Sequence, residues 1–327
     1  MERTVVIYHK ACPDGYGALA GVVYKYGENQ LLYDELKDVI YNPQKTFFAL
    51  PTNHSTDFSR LREILEEYRD DDFTIYMVDF FVPKIFNLVR EFPNIRKVIV
   101  IDHHKTAQEI FQKGIPEDIK DRFEVHLDFD HSAAVLTWKI LNGLVPQIME
   151  YIEDRDIWKW EIPDSLYVLT AVDARVFNVL KPNEIVFKLL ELAQNFPKEE
   201  LAREGQSMIE FKESVVKRLA NNSAHWLILP SGHKLLAVNS SVFQSDIGNR
   251  LAQRSPDGVA CVYAVSPKED DVYINCSIRS INGKARQIAQ ANGGGGHDNA
   301  AGCRVPLSQA QFLPLSEEEK QQIPKID

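Results

Sequence analysis

The sequence predicts an α/β protein: a parallel, doubly wound domain over 1–182, a helical connector over 183–222 and a smaller mixed α/β domain over 223–327. Three observations carry the prediction. Short apolar runs alternate with helical periodicity through the first half, polar helical patterning fills the middle, and extended apolar runs return after it. A chain of 327 residues, 44% of them apolar, also exceeds what one ordinary domain needs.

The elements follow in order. TVVIYH at 4–9 reads as a buried strand, and DGYGALAGVVYKYG places Leu19, Val22, Val23 and Tyr26 at helical spacing. RLREILEEYR at 60–69 is an amphipathic helix, FTIYMVDF at 73–80 a strand, KIFNLVREF at 84–92 a helix and KVIVID at 97–102 a third strand. Apolar strands of this length separated by helices belong to a parallel sheet covered on both faces. SAAVLTWKIL at 132–141 and PQIMEYIED at 146–154 continue the helical layer. The connector is helical and therefore semi-rigid. In the last part HWLIL, KLLAVN, GVACVYAV and DVYINCSIR read as extended, and DIGNRLAQR and GKARQIAQA as helical. The tail SEEEKQQIPKID reads as a loose end.

Thirty-seven Lys and Arg face 47 Asp and Glu, a net charge of −10. That balance excludes nucleic-acid binding by overall charge, so an anionic ligand must meet a local basic patch or bound cations. No signal-peptide pattern or membrane-length apolar run is present, and the four cysteines form no CxxC pair. These features predict a cytoplasmic protein with reduced thiols and no membrane partner.

Three presumed strands end in metal-type ligands. HKACPDG supplies His9, Cys12 and Asp14, MVDF supplies Asp79, and VIVIDHHKT supplies Asp102, His103 and His104. Ligands bind at the carboxyl ends of strands in an open α/β sheet, so these side chains would converge on one crevice. IEDRDIW adds Asp154 and Asp156 at a helix end. One such Asp alone is usually a helix cap, and one His alone is more often a core residue; the joint placement carries the inference. Mixed imidazole and carboxylate donors suit manganese, and there are enough for two ions, a centre suited to phosphoryl transfer. In the second domain QANGGGGHDNAAG (290–302) offers a glycine run whose N–H groups could cradle an anion, followed by His297. A bare glycine run is more often a flexible loop, but the small residues after it allow tight packing beside a site. Arg279, Lys284, Arg286 and Arg304 surround it against the single acid Asp298. No Gly-Lys-Ser/Thr follows, so it is no Walker loop. EEYRDDD at 66–72 reads as a solvated helix end, and Trp158 and Trp160 alternate as on a strand and read as packing ahead of base stacking. His54, His126, His131, His225 and His233 show no ligand spacing.

Taken together, HKACPDG, MVDF, Asp102-His103-His104, EDRDIW and GGGGHDNAAG resemble the DHH phosphoesterase superfamily with its DHH-associated C-terminal domain, and its small two-domain nanoRNase or nucleotide phosphodiesterase members in particular. The resemblance runs from residue 9 to residue 302. It implies two ions in a cleft between the domains, manganese first, with Mg2+, Co2+ or Zn2+ as alternatives. Asp79 would bridge them. His9 and Cys12 would hold one, and Asp14, His103 and Asp154 the other, with Asp156 a rival to Asp154. His104 would touch the scissile phosphate or support the site from its edge, and Asp102 would orient a histidine. Arg279, Gly294, Gly295, Gly296 and His297 would hold a non-scissile phosphate. The implied substrates are short single-stranded oligonucleotides or dinucleotides, hydrolysed to mononucleotides, in a possible homodimer. Two alternatives stand beside this: a phosphoanhydride or phosphomonoester hydrolase, and a nucleotide sensor with a weakened metal site. Cys12 is the departure, since the common motif has Asp there; either a thiolate favours a softer ion such as zinc, or Cys12 is no ligand and one site is weak.

Overall fold

The computed structural model describes residues 1–53, 57–268 and 271–325, so His54 lies outside the described residues. The chain forms two compact units, Met1–Met208 and Ile209–Asp327.

The first unit contains β1 (Glu2–His9), α1 (Pro13–Tyr26), β2 (Leu32–Asp34), β3 (Val39–Tyr41), β4 (Phe47–Thr52), α2 (Ser59–Glu67), β5 (Asp72–Val78), α3 (Ile85–Glu91), β6 (Ile95–Asp102), α4 (Lys105–Gln112), β7 (Phe123–Leu127), α5 (Ala133–Asn142), α6 (Gln147–Asp156), α7 (Ser165–Val172) and α8 (Pro182–Gln194). A 25-residue helix, α9 (Lys198–Asn222), runs across the boundary between the units. The sheet order is β2-β3-β4-β1-β5-β6-β7. β4, β1, β5, β6 and β7 are parallel, and β2 and β3 add an antiparallel edge. Successive side chains of β1 enter opposite cores: Val6 and Tyr8 pack with α1, α5, α6 and α8, while Val5 and Ile7 pack with α2 and α3. Burial on both faces is why the strands read as unbroken apolar runs. β4 lies on one side of β1 and β5 on the other, so the winding reverses there and opens a crevice at the carboxyl ends of β1 and β5.

The stretch 183–222 is helical, but its first half is no spacer. Ile185, Val186, Leu189 and Leu192 of α8 are buried in the first unit's core. Trp158 and Trp160 do not lie on a strand. Both sit in a turn after α6 with positive φ, and Trp158 is 76% exposed. In the segment read as a solvated helix end, Asp72 opens β5 and Asp71 pairs with Arg3 and the N-terminal amine.

The second unit contains β8 (His225–Ile228), β9 (Lys234–Asn239), α10 (Gln244–Arg254), β10 (Val259–Lys268), β11 (Asp271–Ser280), α11 (Ala285–Gln290), β12 (Gly295–Gly296), β13 (Ala300–Pro306), β14 (Gln311–Leu313) and α12 (Glu317–Gln322). They form a mixed sheet in the order β12-β13-β11-β10-β9-β8-β14, in which only the β9–β10 pair is parallel. The tail is ordered through Lys325. Ser316 and Glu319 form a capping box on α12, Glu319 accepts from Trp226 Nε1 at 2.9 Å, and Ile323 is buried among Val216, Ala220 and Ile247. Among the described residues no helix is long and apolar enough to cross a membrane.

Candidate metal centre

Five elements deliver the site, and each does so for a local reason. β1 ends at His9, and Pro13 starts α1 with Asp14 in its first turn. Only glycine fits at 15, because a Cβ there would lie 2.5 Å from the His9 carbonyl oxygen. This close approach keeps His9 and Asp14 together. β5 stops at Val78, and Asp79 follows with φ of 56°, a conformation Asp tolerates better than most residues. β6 ends at Asp102, whose Oδ1 accepts from the main-chain N–H groups of His103 (2.8 Å) and His104 (3.1 Å) and from His104 Nδ1 (2.7 Å). Asp102 thus shapes the strand end and holds one imidazole. The fifth element, α6, ends at Asp156.

Asp79 sits at the middle, 1% exposed. Its Oδ2 is 3.3 Å from His9 Nδ1, while its Oδ1 is 3.3 Å from His103 Nε2 and 3.8 Å from His104 Nδ1. The His103 Nε2 atom also lies 3.4 Å from Asp156 Oδ2 and 3.7 Å from Asp14 Oδ2. Three groups place one donor atom per residue within 4.8 Å of one another: His9, Cys12 and Asp79; Asp79, His103 and His104; and Asp14, His103 and Asp156. One carboxylate oxygen of Asp79 therefore faces each side.

The two acids of EDRD are placed differently. Asp154 is buried, but its Oδ1 accepts from the N–H groups of Glu161 and Ile162, tying down the turn after α6. Asp156, two residues on, is the one that reaches His103. Asp14 does double duty: its carboxylate accepts from Ala133 N and Ala134 N, at 2.8 and 2.9 Å, at the start of α5. Those two α5 N–H groups were not singled out in the sequence, although Ser132-Ala133-Ala134 ahead of an apolar run is a readable helix start.

The electrostatics are those of a cation site. Burial raises the Asp14 and Asp156 carboxyls, and the neighbouring acids raise Asp14 further. For Asp79 burial acts upward, but His103 and His9 outweigh it and hold the carboxyl at about 2. Burial lowers His103, yet Asp79, Asp14 and Asp156 together lift it to about 9. His9 is raised chiefly by Asp79 and His104 by Asp102. The Cys12 thiol is pushed up by burial and by Asp79. Without a cation, protons on the imidazoles balance the crowded acids. The Asp79 Oδ2 atom is buried, with His9 Nδ1 at 3.3 Å and no hydrogen bond of ordinary geometry. Such an orphan oxygen is what a divalent ion satisfies. The donor set of imidazole, carboxylate and one thiol fits a transition-metal pair.

In the second unit the glycine run is not a free loop. Gly295 and Gly296 pair with Gly302 and Ala301. A Cβ at Gly294 would lie 2.1 Å from the Gly302 carbonyl, and one at Gly296, where φ is 138°, 2.6 Å from Ala301 Cα. Close packing on β13 explains these two glycines, while Gly295 faces open space. His297 starts an exposed hairpin tip closed by His297 N to Ala300 O at 2.8 Å. Arg279 donates to Ser245 Oγ, whereas Arg286 is paired with Asp298, leaving the basic patch weaker than its composition. Among the described residues of the first unit His131 pairs with Glu153 and His126 with Glu124, and in the second unit His225 bonds with Tyr263 and His233 with Ser231.

No family model matches the chain. The chain is 28% identical over 313 residues to the uncharacterized protein R106 of Acanthamoeba polyphaga mimivirus, covering 91% of this chain and 66% of that one. It is 22% identical over 227 residues to oligoribonuclease NrnB of Bacillus subtilis (strain 168), covering 64% and 53%. The chain thus spans just under two thirds and about half of the lengths of these curated relatives. Solved structures aligned with it include a DHH domain described as a member of the s1p family of ribosomal proteins (15% identity, TM-score 0.44, covering 98% and 85%). They also include the pGpG-specific phosphodiesterase PggH from Vibrio cholerae (11%, 0.42, 94% and 94%) and exonuclease RecJ bound to manganese (15%, 0.37, 98% and 89%). At these scores whole-chain superposition decides nothing about activity. The resemblance to the DHH phosphoesterase superfamily, drawn from the motifs, stands.

Proposed function

We propose that this chain is a divalent-metal-dependent phosphodiesterase that hydrolyses short single-stranded oligonucleotides or dinucleotides to mononucleotides, with manganese as its ion. The observation that carries the reading is Asp79, buried at the reversal point of the sheet with one oxygen toward His9 and the other toward His103. The similarity to an oligoribonuclease supports the substrate class.

His9, Cys12 and Asp79 would hold one ion, and Asp79, Asp14, His103 and Asp156 the second. When bound, the ions supply Lewis-acid charge that acidifies water and offsets the charge on phosphoryl oxygens. The protein's own groups do the rest. Asp102 accepts from Nδ1 of His104, which fixes the ring, and because Asp102 also favours the protonated imidazole, the Nε2 of that imidazolium would donate to a phosphate oxygen. Asp14, held by two main-chain N–H groups, stays in place when the site fills. The thiol donor at Cys12 tilts its ion toward softer metals. In the second unit Arg279, the Gly294–Gly296 segment and His297 are the candidates for holding a second anionic group. The test is a product assay with di- to decanucleotides, cyclic nucleotides, bisphosphates and pyrophosphate, each with manganese. Dinucleotides should disappear first, and Asp79→Ala should abolish that turnover. Faster loss of pyrophosphate, or dinucleotide hydrolysis retained by the variant, would overturn the reading.

A further inference from the structure

The turn after α6 is built at an energetic cost that packing does not explain. Trp158 and Trp160 have φ of 60° and 51°, a region bulky side chains rarely adopt. The turn is nevertheless firmly held. Lys159 N and Trp160 N both donate to the Asp154 carbonyl at 2.9 and 3.1 Å, and Trp158 N donates to Arg155 O at 3.1 Å. Asp154 Oδ1 takes Glu161 N at 2.7 Å, and Lys159 Nζ reaches Asp130 O at 3.1 Å. What this scaffold presents is the Trp158 side chain, 76% exposed. Trp160 stands edge-on against it, ring centroids 5.4 Å apart at 84°. A strained backbone held at an exposed position licenses a hypothesis of function.

The position suggests the constraint. Asp156 lies in the metal centre, and two peptide units cannot separate the Cα atoms of Asp156 and Trp158 by more than about 7 Å. An exposed indole thus projects from a backbone point within about 7 Å of an acid of the centre. We propose that Trp158 is a stacking platform for a nucleobase of the bound substrate, with Trp160 bracing the ring. Every base has a π face, so the platform adds affinity with little base preference. The inference rests on the proposed nucleotide substrate and goes beyond it by naming what grips the base.

The test is a cycle of ring against base, read by calorimetric affinity with manganese present. The probes are a methylene-bridged, non-hydrolysable diadenylate and the same compound lacking one adenine, each isomer in turn. The variants are Trp158→Asn and Trp158→Phe; Asn tolerates positive φ, so it removes the ring while sparing the turn. The wild-type protein should favour the intact probe over one of the abasic isomers by roughly 5- to 100-fold. Trp158→Asn should shrink that preference below about 2-fold, and Trp158→Phe should restore most of it. An unchanged preference in Trp158→Asn, or no preference in the wild type, overturns the proposal. Ring-dependent binding without hydrolysis of ordinary diadenylate would sink the phosphodiesterase reading and leave the platform standing. Hydrolysis without ring dependence would do the reverse.

Discussion

Replacing Asp79 with Asn keeps the size of the side chain and removes the charge shared by both halves of the centre. A ligand at 100 times its dissociation constant stabilises the folded state by about 2.7 kcal/mol. For a unit of the size of Met1–Met208 this is a rise in melting temperature of about 5–11 °C. Losing even an outer partner of a metal site weakens binding about 10- to 100-fold. Losing the carboxylate that faces both sides should do no less. With a 100-fold loss the variant at the same manganese concentration keeps only about 0.4 kcal/mol, or about 1–2 °C. The baseline moves too. With its carboxyl held at about 2 by His103 and His9, Asp79 contributes about 2 kcal/mol to the metal-free fold, present above pH 4 and lost as pH falls through 2. The assay is therefore the manganese-induced shift within each variant, by calorimetric melting at pH 7 with and without chelator. A shift above about 5 °C in Asp79→Asn would refute the shared-carboxylate geometry.

Four further outcomes follow from the structure. His103 is held at about 9, above its unfolded value, so the metal-free centre keeps that imidazole charged up to this pH and its stabilisation fades as pH rises through 9. A metal must displace the proton. Manganese affinity should climb up to about tenfold per pH unit between 7 and 9, with protons released, and a flat titration would count against His103 as a ligand. Cys12→Asp should shift metal preference from zinc toward manganese by about tenfold or more in chelator competition; equal ratios would mean that Cys12 binds neither. Gly15→Ala forces a methyl against the His9 carbonyl and should lower stability by about 1–3 kcal/mol together with metal affinity. Unchanged denaturation and affinity would show that the junction is slack. Ile323→Ala should cost the second unit about 2–4 kcal/mol in denaturant unfolding, whereas a loose tail would show no change.

The sequence alone carried β1, β5, β6, α1 and α6 around the crevice, the strands as short apolar runs and the helices by their spacing, but not β4 on the other flank of β1. It also carried the residue types at the strand ends, since Asp102-His103-His104 directly after an apolar run is hard to explain by packing. Elements without a period were not legible. Leu32–Asp34 and Val39–Tyr41 are three residues each, Phe123–Leu127 is half-buried throughout, and the tail's single buried Ile323 makes no pattern. Nor could the pattern separate Asp154 from Asp156. Two residues apart on a helix are about 200° apart around it, so one must face inward to the turn and the other to the metal centre. Which does which depends on how α6 packs against its neighbours. The same holds for Gly294 and Gly296, whose need for glycine is set by a strand across the hairpin, and for Trp158, which only the folded turn brings to the surface. Local periodicity is written in neighbouring residues; distances between side chains far apart in the chain exist only once the sheet has brought them together.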